Sequence, residues 1–390
     1  MSKDIVGVVG AGTMGAGIAQ VALEAGHEVV LHDVDEAAIQ GGRARIREGL
    51  ARRAAKLDLD ADSIDEWVEG RLAGLRDGHS LDAVGAEAGV IVEAALEDLE
   101  LKRTIFHALD AAASPDAILA TNTSALSVAA IAEVTEHPDR VVGLHFFNPA
   151  PVMRLVEVVS APATSPAIAS RAAALVTSWD RVPVAVADSP GFIVNRVNRP
   201  FTLEALAAFE RGEAGVVEID EAVRAAGYPM GPFELMDLVG VDVNLAAARG
   251  VWEGFGRAAR FRPSPTQERL VEEERLGRKS GRGFYRYDGG SRAGVDVDSD
   301  ATSGSAAATI ASAIELAVIA EAWRALGDGI ATADDIDLAI RLGTGHRIGP
   351  FERTAELGGP AAVANALEAY AARGPRFEVP AGLRDATAHD

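Results

Sequence analysis

The chain has 390 residues, more than one ordinary domain needs, and 48% of them are hydrophobic, so two or three sizeable cores are expected. A net charge of −21 argues against nucleic acid or an anionic membrane surface as partner, and an anionic ligand would have to be met by locally placed positive charge. Zero cysteines exclude disulfides, thiolate metal sites and cysteine nucleophiles. No apolar run approaches bilayer length, and the N-terminus enters a strand without a basic leader or apolar h-region, so the expected compartment is reducing and cytoplasmic.

The apolar run Ile5–Val9 predicts a first strand. Gly10-Ala11-Gly12-Thr13-Met14-Gly15 follows it and opens a segment with helical periodicity at Ile18, Val21, Ala22 and Ala25. A second strand, Val29–His32, ends at Asp33, 18 residues after Gly15. Strand, glycine turn, helix, strand and acid, in that order, predict a dinucleotide-binding βαβ unit. Gly10 permits the tight turn, Gly12 lets backbone approach a pyrophosphate, and Gly15 allows helix to pack closely on strand. The helix N-terminus, with Thr13 and Met14 in its first turn, offers free N–H groups to the phosphates. Asp33 is placed to accept hydrogen bonds from a ribose diol and to repel a 2′-phosphate, which favours NAD over NADP.

From Ile39 to Leu75 the pattern is helical and charged, with two helices expected around a break at residues 57–63. Arg43, Arg47, Arg52, Arg53 and Lys56 lie there, and for any one of them a solvated helix face is the simplest reading. Strands are expected at 89–92, 118–121, 141–145 and 155–159, with a helix through Leu101, Phe106 and Leu109. Alternation of strand and helix to about Val186 predicts an α/β domain with an open, mostly parallel sheet. Beyond Asp188–Phe192 the pattern is helical: Val194–Arg211, Glu218–Ala226, a Pro-Met-Gly-Pro turn, then Glu234–Val239. A Gly/Ser/Asp stretch, 288–305, reads as a linker or mobile loop before a last helical block.

That last block repeats its predecessor. Glu204-Ala205 and Ile219-Asp220-Glu221-Ala222 are echoed 117 residues later by Glu321-Ala322 and Ile336-Asp337-Leu338-Ala339. Gly231-Pro232-Phe233-Glu234 returns as Gly349-Pro350-Phe351-Glu352 with a one-residue slip.

Two further strings carry chemistry. Thr121-Asn122-Thr123-Ser124 and Gly143–Met153 each sit just past the C-terminal end of an expected strand, where open α/β sheets place ligands. Glu157 follows His145 by twelve residues, and Asn148-Pro149-Ala150-Pro151 between them should turn the chain and bring the two together. A histidine oriented by a carboxylate can act as a general base near neutral pH. The other histidines, His27, His32, His79, His107, His137, His346 and His389, read as ordinary core or surface residues. Ser124 and Asn195 alone read as a turn and a helix start, and gain meaning only beside His145.

Taken together, these strings resemble the L-3-hydroxyacyl-CoA dehydrogenase family, in particular its bacterial 3-hydroxybutyryl-CoA members. The resemblance runs from Gly7 to about Tyr287 and includes Gly-x-Gly-x-Met-Gly, Glu93-Ala94 with Leu101-Lys102, Ala120–Ser124, His145–Met153, Pro190-Gly191-Phe192, Pro229–Leu235 and Gly277–Tyr285. It implies NAD as cofactor and an acyl-CoA thioester as substrate. It matches Ser124, His145, Glu157 and Asn195 to the catalytic quartet, and Asp33, Glu97, Lys102 and Asn122 to NAD-contacting positions. Ala125 departs from the second serine common in the family. The family binds the CoA tail along a helical hairpin, which gives Arg52, Arg53 and Lys56 a possible task; Ser124 and Asn195 would meet the substrate's reacting end.

The expected architecture is a Rossmann-type domain over residues 1–187 followed by two tandem all-α domains, 188–290 and 306–390, joined by a linker at 291–305. The second copy carries Ser312 where Asn195 would fall, so it is expected to be structural and to pair with the first as an intrachain pseudo-dimer, with further homo-oligomer contacts on other surfaces. Three alternatives stay open: a 3-hydroxyadipyl-CoA or longer-chain enzyme, an NAD-dependent sugar-acid dehydrogenase, and a non-catalytic NAD-binding protein. No metal is called for.

Overall fold

The computed structural model describes residues 5–57, 59–297 and 307–387. His389 and most of the expected linker, 298–305, therefore lie outside the described residues. Two compact units divide the chain between Asp188 and Ser189.

The first unit runs β1 (Val6–Val9), α1 (Thr13–Glu24), β2 (Val29–His32), α2 (Glu36–Ala54), α3 (Ala61–Leu72), β3 (Leu75–Asp77), α4 (Leu81–Glu87), β4 (Val90–Glu93) and α5 (Leu99–Ala112). It continues with β5 (Ile118–Thr121), α6 (Val128–Ala132), β6 (Val141–Phe146), β7 (Leu155–Ser160), α7 (Pro166–Ser178) and β8 (Val182–Ala187). The eight strands form one sheet in the order β3-β2-β1-β4-β5-β6-β7-β8. All neighbours pair in parallel except β6 and β7, which are antiparallel. The central strands β1, β4 and β5 are buried throughout, the consequence of near-continuous apolar runs covered by helices on both faces. The break expected at 57–63 separates α2 from α3.

Helix caps divide this unit in an informative way. Asp35, Asp60, Ser80, Asp98, Ser127 and Ser165 each accept a backbone N–H at the start of α2, α3, α4, α5, α6 and α7. Helix α1 begins at Gly12 with no side-chain cap, so its first N–H groups stay available.

The second unit contains α8 (Val194–Val197), α9 (Arg199–Glu210), α10 (Val216–Ala225), α11 (Pro232–Val239), α12 (Val241–Gly254), α13 (Pro265–Glu272), β9 (Tyr285–Asp288) and β10 (Ser291–Val295). The helices α14 (Ala307–Gly327), α15 (Ala333–Thr344), α16 (Pro350–Glu356), α17 (Pro360–Ala369) and α18 (Ala381–Thr387) complete it. The single helix expected over 194–211 is interrupted at Asn198, because Pro200 in the first turn of α9 has no N–H with which to continue the ladder. The linker expected from 291 begins later. Residues 291–295 pair with β9 as a hairpin, and Asp296 then takes ion pairs from Arg275 and Arg282, both at 3.0 Å.

Equivalent residues of the two helical blocks do equivalent work. Asp220 accepts the N–H groups of Phe233 and Glu234 at the start of α11, and Asp337 accepts those of Phe351 and Glu352 at the start of α16. A Cβ at Gly231 would stand 2.3 Å from the Asp220 carboxylate and one at Gly349 2.2 Å from that of Asp337, so both caps require glycine. Helix α9 packs along α14. At that junction fully buried Glu204 accepts Arg376 at 2.9 Å and fully buried Glu321 accepts Arg260 at 3.1 Å, each acid meeting an arginine of the other block. Among the described residues no helix is long and apolar enough to cross a membrane.

Candidate active site

The dinucleotide turn follows β1. Gly10 has φ +104°, and a Cβ there would lie 2.6 Å from the Ala94 carbonyl oxygen. A Cβ on Gly15 would lie 1.7 Å from the carbonyl oxygen of Gly10, so helix and turn close only around glycine. At Gly12 a Cβ would meet nothing within 4 Å. Packing does not demand glycine there, whereas close approach of a ligand to the backbone would. Asp33, at the end of β2, accepts Ala11 N–H on Oδ2 and Val34 N–H on Oδ1, both at 2.7 Å. Each of its oxygens keeps a further lone pair for a ribose hydroxyl. Uncapped α1, the open Gly12 and the fixed Asp33 fit NAD.

At the C-terminal ends of β4 and β5 a carboxylate network shapes the loop carrying Ser124. Lys102, 1% exposed on α5, donates to Glu93 Oε1 at 2.6 Å and stands 3.6 Å from Glu97 Oε2. Glu93 also accepts Ala95 N–H and the Thr121 hydroxyl, both at 2.7 Å. Oε1 of Glu97 accepts the Thr123 hydroxyl at 2.6 Å and the N–H groups of Ser124 and Ala125 at 2.8 and 3.1 Å. Asn122 accepts Phe146 N–H at 2.8 Å and so ties the end of β5 to the end of β6. Sequence reasoning singled out Glu97, Lys102, Asn122 and Ser124 but gave Glu93 no role. Its signal was a lone acid ending an otherwise apolar strand.

His145 and Glu157 meet as their spacing predicts. They are directly opposed residues of the antiparallel β6/β7 pair, and His145 Nδ1 lies 2.6 Å from Glu157 Oε2. Strand alternation explains the pairing. Leu144, Phe146, Val156 and Val158 face one core, and His145 and Glu157 point to the other side of the sheet. Glu157 is fully buried and His145 is 4% exposed. Nδ1 is thus engaged by the carboxylate, which fixes the orientation of the ring. The Phe147 ring, centroid 4.5 Å from the imidazole, packs beside it.

The basic stretch divides. Arg43 pairs with Asp77 at 2.7 Å and Arg47 with Glu69, which ties both to the fold. Arg45, Arg52, Arg53 and Lys56 line one wall of a groove of about 760 Å³ whose other wall is Asn148–Val152. A hollow of about 400 Å³ shares Arg53, Pro151 and Val152 with it and adds Arg154 and Arg181. Arg52 pairs with Glu48 and Arg53 stands 3.7 Å from Glu24, so cations outnumber acids in this lining without being free of them, in a chain whose net charge is −21.

Asn195 lies in α8 of the second unit, next to Arg196, which is fully buried and pairs with Glu321 at 2.9 Å and with Asp328. Arg199, four residues beyond Asn195, is a feature that sequence reasoning passed over.

A carboxylate-held histidine on the same sheet edge as a dinucleotide turn is the equipment of an NAD-dependent oxidoreductase. Residues 5–189 match the NAD-binding domain of 3-hydroxyacyl-CoA dehydrogenase, and residues 191–287 and 310–384 each match its C-terminal domain. The chain belongs to the 3-hydroxyacyl-CoA dehydrogenase family. It is 45% identical over 283 residues, 72% of its own length and 58% of the relative's, to the 3-hydroxyadipyl-CoA dehydrogenase of Escherichia coli K12. The 3-hydroxybutyryl-CoA dehydrogenase of Clostridioides difficile is 39% identical over 285 residues, 72% of this chain and 98% of that one. A crystal structure of 3-hydroxybutyryl-CoA dehydrogenase from E. coli K12 superposes with a TM-score of 0.88 at 33% identity, covering 100% of both chains.

Proposed function

We propose that the chain catalyses reversible NAD-dependent oxidation of an L-3-hydroxyacyl-CoA to the 3-oxoacyl-CoA, with 3-hydroxybutyryl-CoA as the first substrate to test. The observation that carries the reading is the His145–Glu157 pair on the sheet edge of the glycine turn. NAD supplies the redox chemistry by accepting hydride from C3. Nε2 of His145 takes the proton of the 3-hydroxyl as it leaves. Glu157, fixed in the strand opposite, holds the ring through Nδ1 and stabilises the imidazolium. Ser124, on the loop clasped by Glu97, and Asn195, carried over by family resemblance, hydrogen-bond the substrate's oxygens and fix its approach. The cationic groove at Arg52, Arg53 and Lys56 receives the phosphates of CoA.

A second reading, a 3-hydroxyadipyl-CoA substrate, draws on the E. coli relative at 45% identity. We read the second helical block as an intrachain partner of the first; the reciprocal Arg376–Glu204 and Arg260–Glu321 pairs support that pseudo-dimer. The test of function is spectrophotometric: acetoacetyl-CoA should drive NADH oxidation, and His145→Gln should abolish most of it. No turnover by the wild type would end the reading.

A further inference from the structure

Two arginines stand close together near the start of the helical unit and are treated very differently. Arg196 is fully buried, stacks over Phe255 and is neutralised by Glu321 and Asp328. Arg199 is 5% exposed, and no acidic group lies within ion-pair distance of it among the described residues. Its hydrogen bonding amounts to one long contact, Nη1 to the Asn244 carbonyl at 3.5 Å, and its Nε has no partner. Beside it the Asn198 side-chain oxygen is also buried and unpartnered. Burial with no compensating carboxylate pulls the Arg199 guanidinium down to about 10. An uncompensated buried cation is costly, and the usual remedy is a partner acid. The chain supplies that remedy to Arg196 and withholds it from Arg199.

The position of the charge is equally specific. Backbone bonds from Val197 and Asn198 back to Ile193 and Val194 close α8, and Asn198, the single residue between α8 and α9, keeps right-handed helical dihedrals. Asn195 and Arg199 are thus four residues apart across one helical junction, about 6 Å at a helical rise of about 1.5 Å per residue. If Asn195 holds the reacting end of the substrate, a group at Arg199 is within reach of an acyl chain extended a few carbon–carbon bonds of about 1.5 Å beyond C3.

We infer that Arg199 is a specificity-determining residue that takes the terminal carboxylate of a dicarboxylic 3-hydroxyacyl-CoA, so that the preferred acyl group ends in an anion rather than a methyl. This deepens the function proposed above and rests on it. A bidentate or charge-assisted contact in a desolvated setting discriminates strongly, because the buried cation is left unpaired when a methyl-ended chain binds.

The test compares 3-hydroxyadipyl-CoA with 3-hydroxybutyryl-CoA, both with NAD, in the wild type, Arg199→Met and Arg199→Lys. The readout is the ratio of the two kcat/KM values within each preparation, which is insensitive to any fraction of enzyme that fails to fold. The wild type should favour the dicarboxylic substrate roughly tenfold or more, Arg199→Met should lose that preference, and Arg199→Lys should keep part of it. A ratio unchanged in Arg199→Met, or a wild type that prefers the methyl-ended chain, would show Arg199 to be a structural cation only. Failure of the wild type to turn over either thioester would instead overturn the enzymatic reading itself, and the inference with it.

Discussion

Cofactor choice rests on one carboxylate, and the structure allows its effect to be worked out. Asp33 spends one lone pair of each oxygen on backbone, at Ala11 and Val34, both at 2.7 Å. Those bonds fix the carboxylate's orientation and leave one acceptor position per oxygen, the number a ribose diol needs. Replacing the 2′-hydroxyl with a phosphate removes one or two charge-assisted hydrogen bonds and sets like charges a few ångströms apart. Together these cost on the order of 2–4 kcal/mol. NADPH should therefore be used roughly 30- to 1000-fold less efficiently than NADH. Asp33→Asn removes the repulsion, but its amide nitrogen cannot accept, so one of the two backbone N–H groups is left unpaired. The variant should lose NADH efficiency and narrow the NADH/NADPH ratio. The assay is acetoacetyl-CoA reduction with each cofactor at varied concentration. Equal kcat/KM for the two cofactors in the wild type, or an unchanged ratio in Asp33→Asn, would refute the reasoning.

Other tests address the remaining parts of the molecule. His145→Gln should lower turnover by ~10²–10⁴-fold while NADH still binds, as read by fluorescence titration, and Glu157→Gln should also slow turnover because the ring loses its anionic partner; wild-type rates would remove the pair from the mechanism. Neutralising Arg52, Arg53 and Lys56 together should raise KM for acetoacetyl-CoA more than for a short pantetheine thioester, and an equal response would make them ordinary surface charges. His346 packs against Phe201 and Tyr228, and burial pulls it from 6.5 down to about 4. Between those values the unfolded chain takes up a proton that the folded chain refuses, so stability falls as pH falls through this window, by about 2 kcal/mol after allowing for partial exposure. Urea midpoints of wild type and His346→Phe at pH 7.5 and 5 should show the wild type losing more on acidification; parallel losses would contradict this.

What the sequence disclosed follows the reach of each signal. Strands β1, β2 and β5 were legible because their apolar runs are uninterrupted, and His145–Glu157 because both partners lie on neighbouring strands joined by one short turn. Strand β3 escaped because Leu75-Arg76-Asp77 is three residues long with a single buried side chain. The hairpin β9/β10 carries a signal that was passed over: Gly289 and Gly290 both have positive φ, at 53° and 83°, as a two-residue hairpin turn requires. By composition alone, glycine there reads as linker. Glu93 and Arg199 were harder. Glu93 acquires meaning only when β4, α5 and β5 converge on it, and Arg199 only through the absence of a nearby acid. Neither fact is local to the sequence.

The duplication poses a question of assembly that can be answered by cutting the chain. A helical block with fully buried acids such as Glu204 needs something to cover it, and α14 covers α9 while Arg376 joins Arg211 of the first block on Glu204, each at 2.9 Å. A tethered partner acts at an effective concentration around the millimolar range, so it should exclude a second chain from the same face. A chain ending at Val297 keeps the hairpin and the Asp296 ion pairs but loses α14 to α18. It also takes both Glu321 and Asp328 from Arg196 and uncovers α8, so the ion pairs and the packing beside Asn195 are lost together. Because Arg196 adjoins Asn195, the damage should reach the site as well as the fold. Light scattering and acetoacetyl-CoA reduction by this truncation give the answer. Aggregation, or a new dimer in which a second copy covers α9, is expected with reduced activity. A well-behaved, fully active monomer would mean that the second block is an appendage and that the first covers its own face.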